Sequence, residues 1–352
     1  MYDNSLEISF LSLFTLITFF IFLIIQKFSN KIFNGRLLDN NFNKPQAFHN
    51  EEISRCGGLA SIISLIIFTY LNNFFFLKIF YEYLIIGFGL FLVGFLDDLK
   101  INIKPIIRLI SMILILSACI GFFSIDIERV DLIFLNIWMK NEYFLILFVL
   151  FCFLFVINGS NLIDGFNGLL AINLLAINLI LAVINMQNDL FEYLFLLIAQ
   201  IIILITFLLF NFPKAKMFFG DSGSYLFGSL TALNVIYTNN FNEKISSFFF
   251  CVLLSYIFFE VFFSFFRKIY QKKSPLEPDN FHLHMLVFKN INKNSRKVTS
   301  NYTTSLIINS VYLILIIPAF FLKEEALFCK IWFSLILIIY IYTYYKLRKK
   351  LI

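Results

Sequence analysis

The stretch NGSNLIDGFNG at 158–168 sets Asn158, Asn161, Asp164 and Asn167 at intervals of three inside a run that otherwise reads as lipid-facing. On a regular α-helix each such step turns the side chain by about 60°, so the four groups spiral around half the surface and some would meet lipid. The glycines Gly159, Gly165 and Gly168 predict a break instead, with a turn near Asp164 feeding the N-terminus of the next helix. Free N–H groups and the dipole make such a terminus hospitable to phosphate. A polar helix–helix contact is the plainer reading of the same asparagines.

Three further stretches carry chemistry. Asp97 and Asp98 close the apolar run IIGFGLFLVGFL, and two adjacent carboxylates repel unless a cation or a proton lies between them. The plainer reading is a solvated helix end; Lys100, Lys104 and Arg108 beyond it add anion-binding charge. FFGDSGSYLFG at 218–228 puts Asp221 between Gly220 and Gly223 at a turn entering an apolar run. That placing suits a metal bridging carboxylate and phosphate oxygens, or a helix cap. His282 and His284 flank Leu283 between Arg267, Lys268, Lys272 and Lys273 on one side and Lys289 on the other; His49 is the third histidine of the chain. Such a pair binds phosphate or moves a proton, unless the segment only lies on a charged membrane surface.

The elements that must hold these residues are membrane helices. The chain is 60% hydrophobic and 14% charged over 352 residues, with a mean hydropathy of +0.85, far from a soluble domain. Apolar runs of span length number eleven, at about 8–26, 57–71, 75–96, 105–124, 143–159, 167–186, 190–212, 223–239, 246–266, 304–322 and 327–345. Leu71, Asn72 and Asn73 are the only break between the second and third. The first run reads as a retained span and not a signal peptide. With the N-terminus outside, 22 of the 28 Lys and Arg fall in cytoplasmic segments, which follows the positive-inside bias. The same assignment brings QAFHNEEISRCGG (46–58), FLDDLK (95–100), NGSNLIDGFNG, NFPKAKMFFGDSGS (211–224) and PDNFHLHMLVFK (278–289) to that one face. The expectation is a single all-α polytopic domain over 1–352, a bundle of about eleven transmembrane helices with a cytoplasmic C-terminus. Five scattered cysteines without CxxC pairing predict neither disulfides nor zinc.

Carboxylates on a membrane face beside lysines and arginines suit Mg²⁺ or Mn²⁺ and phosphate, since oxygen-only donors favour hard cations. The matching substrates are a soluble nucleotide diphosphate compound and a phosphate carried by a membrane lipid; nothing in the pattern points to nucleic acid.

At these residues the chain resembles the polyprenyl-phosphate sugar-1-phosphate transferases, the group that includes phospho-N-acetylmuramoyl-pentapeptide transferase and the enzymes that load N-acetylglucosamine-1-phosphate onto undecaprenyl phosphate. RCGGLA (55–60) resembles the RxGG entry, with Arg55 in the substrate site; FLDDLK resembles the DD motif, NLIDGFNGL resembles NxxDGxDGL, NFPKAKMFFGDSGS resembles NxPPAKxFxGDxGS, and HLH resembles the histidine motif. The order and spacing run through nearly the whole chain. The resemblance implies that Asp221 ligates Mg²⁺ and that Asp97 and Asp98 position or deprotonate the lipid phosphate and help to hold the metal. It implies that Asp164, Asn161, Asn167, Asn211 and Phe218 line the nucleotide site, with Phe218 stacked on uracil. It places His282, His284, Arg267 and Lys268 near phosphate or sugar. FEVFFSFFRK (259–268) also resembles a family segment, but Glu260 receives no role from it.

Two departures matter. Asn167 stands where many members have a second aspartate, and HLHM lacks three consecutive histidines. Both features point to transfer of an N-acetylhexosamine-1-phosphate from a UDP-sugar to undecaprenyl phosphate in the bacterial inner membrane, starting a surface glycan such as an O-antigen, with the peptidoglycan transferase as the alternative. An ion-coupled transporter is the reading from another class; it requires carboxylates near the bilayer midplane. Direct attack and a covalent aspartyl intermediate both fit, and a homodimer is left open.

Overall fold

The computed structural model describes residues 4–40, 52–101, 103–275, 279–293 and 296–351. His49 and residues 46–51 of the first polar stretch lie outside them, as does Pro278. Among the described residues the protein is helical apart from a two-stranded hairpin. In chain order come α1 (Asn4–Phe28), a 3-10 turn (Ile32–Gly35), β1 (Leu38–Asp39), β2 (Ile53–Ser54), α2 (Gly57–Phe76), α3 (Tyr81–Asp98), α4 (Pro105–Phe123), α5 (Ile133–Trp138), α6 (Glu142–Ile163), α7 (Leu169–Gln187), α8 (Phe191–Asn211), α9 (Gly220–Phe241), α10 (Ser247–Leu253), α11 (Ser255–Tyr270), α12 (Leu283–Asn292), α13 (Lys297–Phe321) and α14 (Ala326–Leu351).

Eight of these helices, α1, α2, α4, α6, α7, α8, α13 and α14, are long and apolar enough to cross a membrane, and α10 with α11 adds a ninth as a span bent by 75°. The protein is a multi-pass membrane protein. The other two runs of span length are helices too, but α3 carries Glu82, Asp97 and Asp98, and α9 is rich in glycine, serine, threonine and asparagine. The break between α2 and α3 falls later than the asparagines suggest. Helix α2 continues through Asn72 and Asn73 and ends at Leu77, in the left-handed region, because the buried Asn72 spends its amide on the Lys78 carbonyl 2.9 Å away. An asparagine inside a membrane helix is tolerable when its polar group finds a partner.

Helix α9 is the axis of the bundle. It is buried along nearly its whole length and packs on α2, α3, α6 and α7. Small residues allow the approach. Gly94 of α3 lies so close to the Asp221 and Ser222 backbone that a Cβ there would overlap it, and Gly58 of α2 likewise meets Ser222 and Gly223. On the α6 side, a Cβ on Gly228 would come within 2.8 Å of the Ile157 backbone. Deeper in the bundle, Asn234 of α9 donates to Asn178 Oδ1 at 2.9 Å and to Gln200 Oε1 at 2.8 Å, so the buried amides satisfy one another. The close α3 packing brings the Asp97–Asp98 end of one helix against the Gly220–Asp221 start of the other.

Candidate active site

One end of the bundle gathers the start of α2, the end of α3, the starts of α4 and α9, and the end of α6. The segment before α9 is stitched to α2 by backbone bonds: Gly57 N–H donates to the Phe218 carbonyl at 3.0 Å and Gly58 N–H to that of Phe219 at 2.9 Å. The hairpin lies alongside, with Phe218 N–H donating to the Ser54 carbonyl at 2.7 Å. Gly220 adopts a φ of +76°, and a Cβ there would fall 2.5 Å from Asp98 Oδ2. Only glycine suits that position, because a side chain would be strained by φ and would displace the carboxylate.

The neighbours Asp97 and Asp98 do different work. Asp98 is buried, and its carboxylate caps α9, accepting from Asp221 N–H at 3.1 Å, Ser222 N–H at 3.0 Å and the Ser222 hydroxyl at 2.6 Å. The anion thus satisfies orphan donors at the positive end of a helix. Asp97, one residue earlier, is partly exposed and faces Arg108 of α4, 3.0 Å away. The same Arg108 Nη1 lies 2.7 Å from Asp221 Oδ2. Asp221 Oδ1 accepts from Asn161 Nδ2 of α6 at 3.0 Å. Carboxylates from α3 and α9 therefore converge on one cationic point, with Arg108, read from sequence only as anion-binding charge, at its centre.

Arg55 approaches from the hairpin. Its guanidinium bonds Asp39 Oδ2 at 2.6 Å and stands 3.8 Å from Asp98 Oδ1. Burial opposes its charge, but Asp98, Asp39 and Asp221 outweigh that and hold it firmly protonated.

The break predicted at Asp164 is present. Asp164 caps the end of α6, and Gly168, with φ +77°, opens α7. Burial, then the charges of Asp221 and Asp98, push the Asp164 carboxyl up to about 8. Two asparagines of the nucleotide-site expectation act as clamps. Asn211 accepts from Gly168 N–H at 2.6 Å and donates to the Met217 carbonyl at 2.8 Å, tying the ends of α8 and α7 together. Asn167 donates to the Pro213 carbonyl at 2.9 Å, and its own N–H reaches Asn301 of α13 at 2.8 Å. Phe218 is half-buried in the segment stitched to α2.

The histidine pair forms a second, adjoining cluster. His282 and His284 are buried, with rings stacked at 5.4 Å and an interplanar angle of 7°. His284 packs edge-on against Phe166 and lies beside Gly165, so the cluster abuts the Asp164 turn. Behind the rings stands Glu260 of α11, 1% exposed, with Oε2 2.9 Å from His282 Nδ1. Arg267 makes a forked pair with Asp279 at 2.7 and 3.2 Å, and Lys268 reaches the Pro275 carbonyl at 3.1 Å. Burial opposes the charge of Asp279, but the bonds from Arg267 hold it below the usual carboxylate range. Motif reading left Glu260 without a role and did not single out Asp279. Their signal is a carboxylate within an apolar or basic run, which requires a partner.

Among the described residues no group of three His, Cys, Asp or Glu side chains forms a ready-made metal cage. Asp98 does not suit a ligand role as placed, because both of its oxygens are taken by the α9 terminus. Asp97 and Asp221 do fit a hard cation: their oxygens already meet at a single positive centre, and Mg²⁺ needs only one or two carboxylates beside water and phosphate oxygens.

Fold and site together define a multi-pass membrane protein with a cluster of acidic and basic side chains at one end of its helices. The model of glycosyl transferase family 4 matches residues 79–239, the stretch from the start of α3 to the end of α9. The chain is 29% identical to the undecaprenyl-phosphate alpha-N-acetylglucosaminyl 1-phosphate transferase of Thermotoga maritima, over 70% of this chain and 71% of the relative. It is 27% identical to the probable undecaprenyl-phosphate N-acetylglucosaminyl 1-phosphate transferase of Bacillus subtilis, over 83% and 79%. With the phospho-N-acetylmuramoyl-pentapeptide-transferase of Streptococcus mutans it shares 29% identity over 40% of this chain and 43% of that one.

Proposed function

We propose that the protein transfers an N-acetylhexosamine-1-phosphate, in the first instance N-acetylglucosamine-1-phosphate, from a UDP-sugar to undecaprenyl phosphate and releases UMP. The observation that carries this reading is the meeting of Asp97 and Asp221 on Arg108 where five helix ends converge. The names of the two relatives matched over most of their length support the same substrates.

In the reaction an oxygen of the lipid phosphate forms a bond to the sugar-linked phosphorus while the bond from that phosphorus to the UMP oxygen breaks. Both partners are anions, and a pair of unit charges 4 Å apart repels by about 4 kcal/mol at an effective dielectric of 20. Arg108 and Arg55 offset that repulsion and orient the phosphates. The lipid phosphate is largely dianionic at neutral pH, its second pKa being near 6, so Asp97 positions more than it deprotonates. Asp97 and Asp221 would hold Mg²⁺, which would supply charge neutralisation for the reacting phosphates. Asp98 acts from behind, fixing the α9 terminus that presents Asp221. Asp164 and Asn161 line the nucleotide side.

In this reading the chain is one domain of eleven spans in the bacterial inner membrane, N-terminus outside, with the charged cluster facing the cytoplasm where UDP-sugars are. The charge bias supports that orientation. Carboxylates at helix ends argue against an ion-coupled transporter.

The test is Mg²⁺-dependent UMP release by purified protein given undecaprenyl phosphate and a panel of donors, including UDP-N-acetylglucosamine and UDP-N-acetylmuramoyl-pentapeptide. Release with a UDP-N-acetylhexosamine is expected. Release with the pentapeptide donor alone would replace this function with the peptidoglycan one.

A further inference from the structure

Glu260 is a buried carboxylate in the middle of α11, where an isolated charge would be costly, and the reaction above makes no direct use of it. Its two oxygens are spent on one short segment. Oε2 meets His282 Nδ1 at 2.9 Å, while Oε1 accepts from Leu283 N–H at 3.1 Å and stands 3.7 Å from His284 Nδ1. The Tyr340 hydroxyl of α14 also reaches it. An ionised carboxylate only accepts, so His282 must carry its proton on Nδ1. On the far side of both rings the Nε2 atoms are buried and have no hydrogen-bond partner among the described residues. His284 Nε2 lies 3.7 Å from the point where a Cβ on Gly165 would sit, beside the Asp164 turn.

We propose that Glu260 is a positioning residue, which sets the His282 tautomer and aligns the stacked imidazoles so that His284 presents its Nε2 beside the Gly165 turn. The proposal rests on the transferase reading for its kinetic consequence and on geometry for the rest. A group that holds the proton-bearing nitrogen of an imidazole leaves the other as a lone pair poised to accept a proton. The bend between α10 and α11 allows it, since it turns α11 so that Glu260 comes under α12. Gly159 of α6 accommodates the same helix, because a Cβ there would fall 2.8 Å from the Ile257 carbonyl oxygen. The groups facing the pair are Glu260 and Tyr256 from α11, Tyr340 from α14, and Asp279 from the preceding turn, with Asp279 Oδ1 3.6 Å from His282 Nε2 and itself paired to Arg267.

The experiment uses full-length protein labelled with ¹⁵N-histidine, in which three imidazoles are to be assigned. Wild-type protein is expected to show a buried imidazole protonated on Nδ1; both buried rings protonated on Nε2 alone would overturn the proposal without any variant. In Glu260→Gln the Nδ1–H signal is expected to shift or vanish, and kcat for UMP release to fall on the order of 10²-fold with KM for the UDP-sugar nearly unchanged. Removing the carboxylate is also expected to move the acidic limb of the pH profile to lower pH, because the imidazolium loses its counter-charge. Glu260→Asp should recover part of kcat and the tautomer. Loss of folded protein in Glu260→Gln, with tautomer, kcat per folded molecule and pH limb unchanged, would show a merely structural carboxylate. If wild-type protein releases no UMP with any donor, the proposed reaction fails, while the tautomer comparison still decides the role of Glu260.

Discussion

The carboxylate of Asp98 accepts the backbone N–H of Asp221 at 3.1 Å, so the acidic pair at the end of α3 is divided between two tasks. Its inner member holds the helix that presents Asp221, and its outer member, Asp97, joins Asp221 at Arg108.

The two aspartates should therefore fail differently. Asp98→Asn turns an amide NH₂ toward donors and should lower stability by roughly 2–3 kcal/mol as well as activity. Asp97→Asn should leave the melting temperature in detergent unchanged and reduce UMP release on the order of 10²-fold or more. Equal losses of stability in the two variants would refute the division.

Arg108 competes with any divalent cation for Asp97 and Asp221. Arg108→Gln should lower the Mg²⁺ concentration for half-maximal activity while reducing kcat, since the phosphates lose a counter-charge. Titrating UMP release with Mg²⁺ separates the two effects. A rise in the Mg²⁺ requirement would mean that Arg108 helps to assemble the cation site.

Asp221→Asn should abolish transfer and leave the fold intact, because the Asp98 cap uses the Asp221 backbone and not its side chain. Asn161→Ala, which removes the donor at Asp221 Oδ1, should cost less. Full activity of Asp221→Asn in membranes would remove the proposed metal site.

Asp164 is pushed up to about 8 by burial and by Asp221 and Asp98. A cation at Asp221 would favour its ionised form, so cation binding releases a proton and Mg²⁺ affinity should rise with pH, up to about tenfold per unit below that value. Asp164→Asn should flatten this dependence between about pH 6.5 and 8.5. An equally steep dependence in the variant would place the proton elsewhere.

Packing makes its own prediction. Gly94→Ala and Gly58→Ala would force α3 and α2 away from the start of α9, costing about 1–3 kcal/mol and displacing Asp98 or Ser222. Gly121→Ala in α4, with nothing within 4 Å of the new Cβ, should be neutral or gain up to about 1 kcal/mol. Thermal unfolding of the three variants in one detergent compares them.

By itself the chain determined a helical membrane protein, the number of its apolar runs, and the residues of the acidic and histidine clusters, because lipid demands long apolar helices and makes every intramembrane carboxylate conspicuous. The turn at Asp164 was legible for the same reason, since glycines beside polar groups cannot continue a lipid-facing helix. The end of α2 at Leu77 was not, because it depends on the Asn72 amide finding the Lys78 carbonyl. Nor could spacing divide Asp97 from Asp98, show Asn211 as a clamp between helix ends, or give Glu260 its histidines. Those assignments come from hydrogen bonds between residues tens to more than a hundred positions apart, and their geometry exists only once the glycine-lined helices have closed around α9.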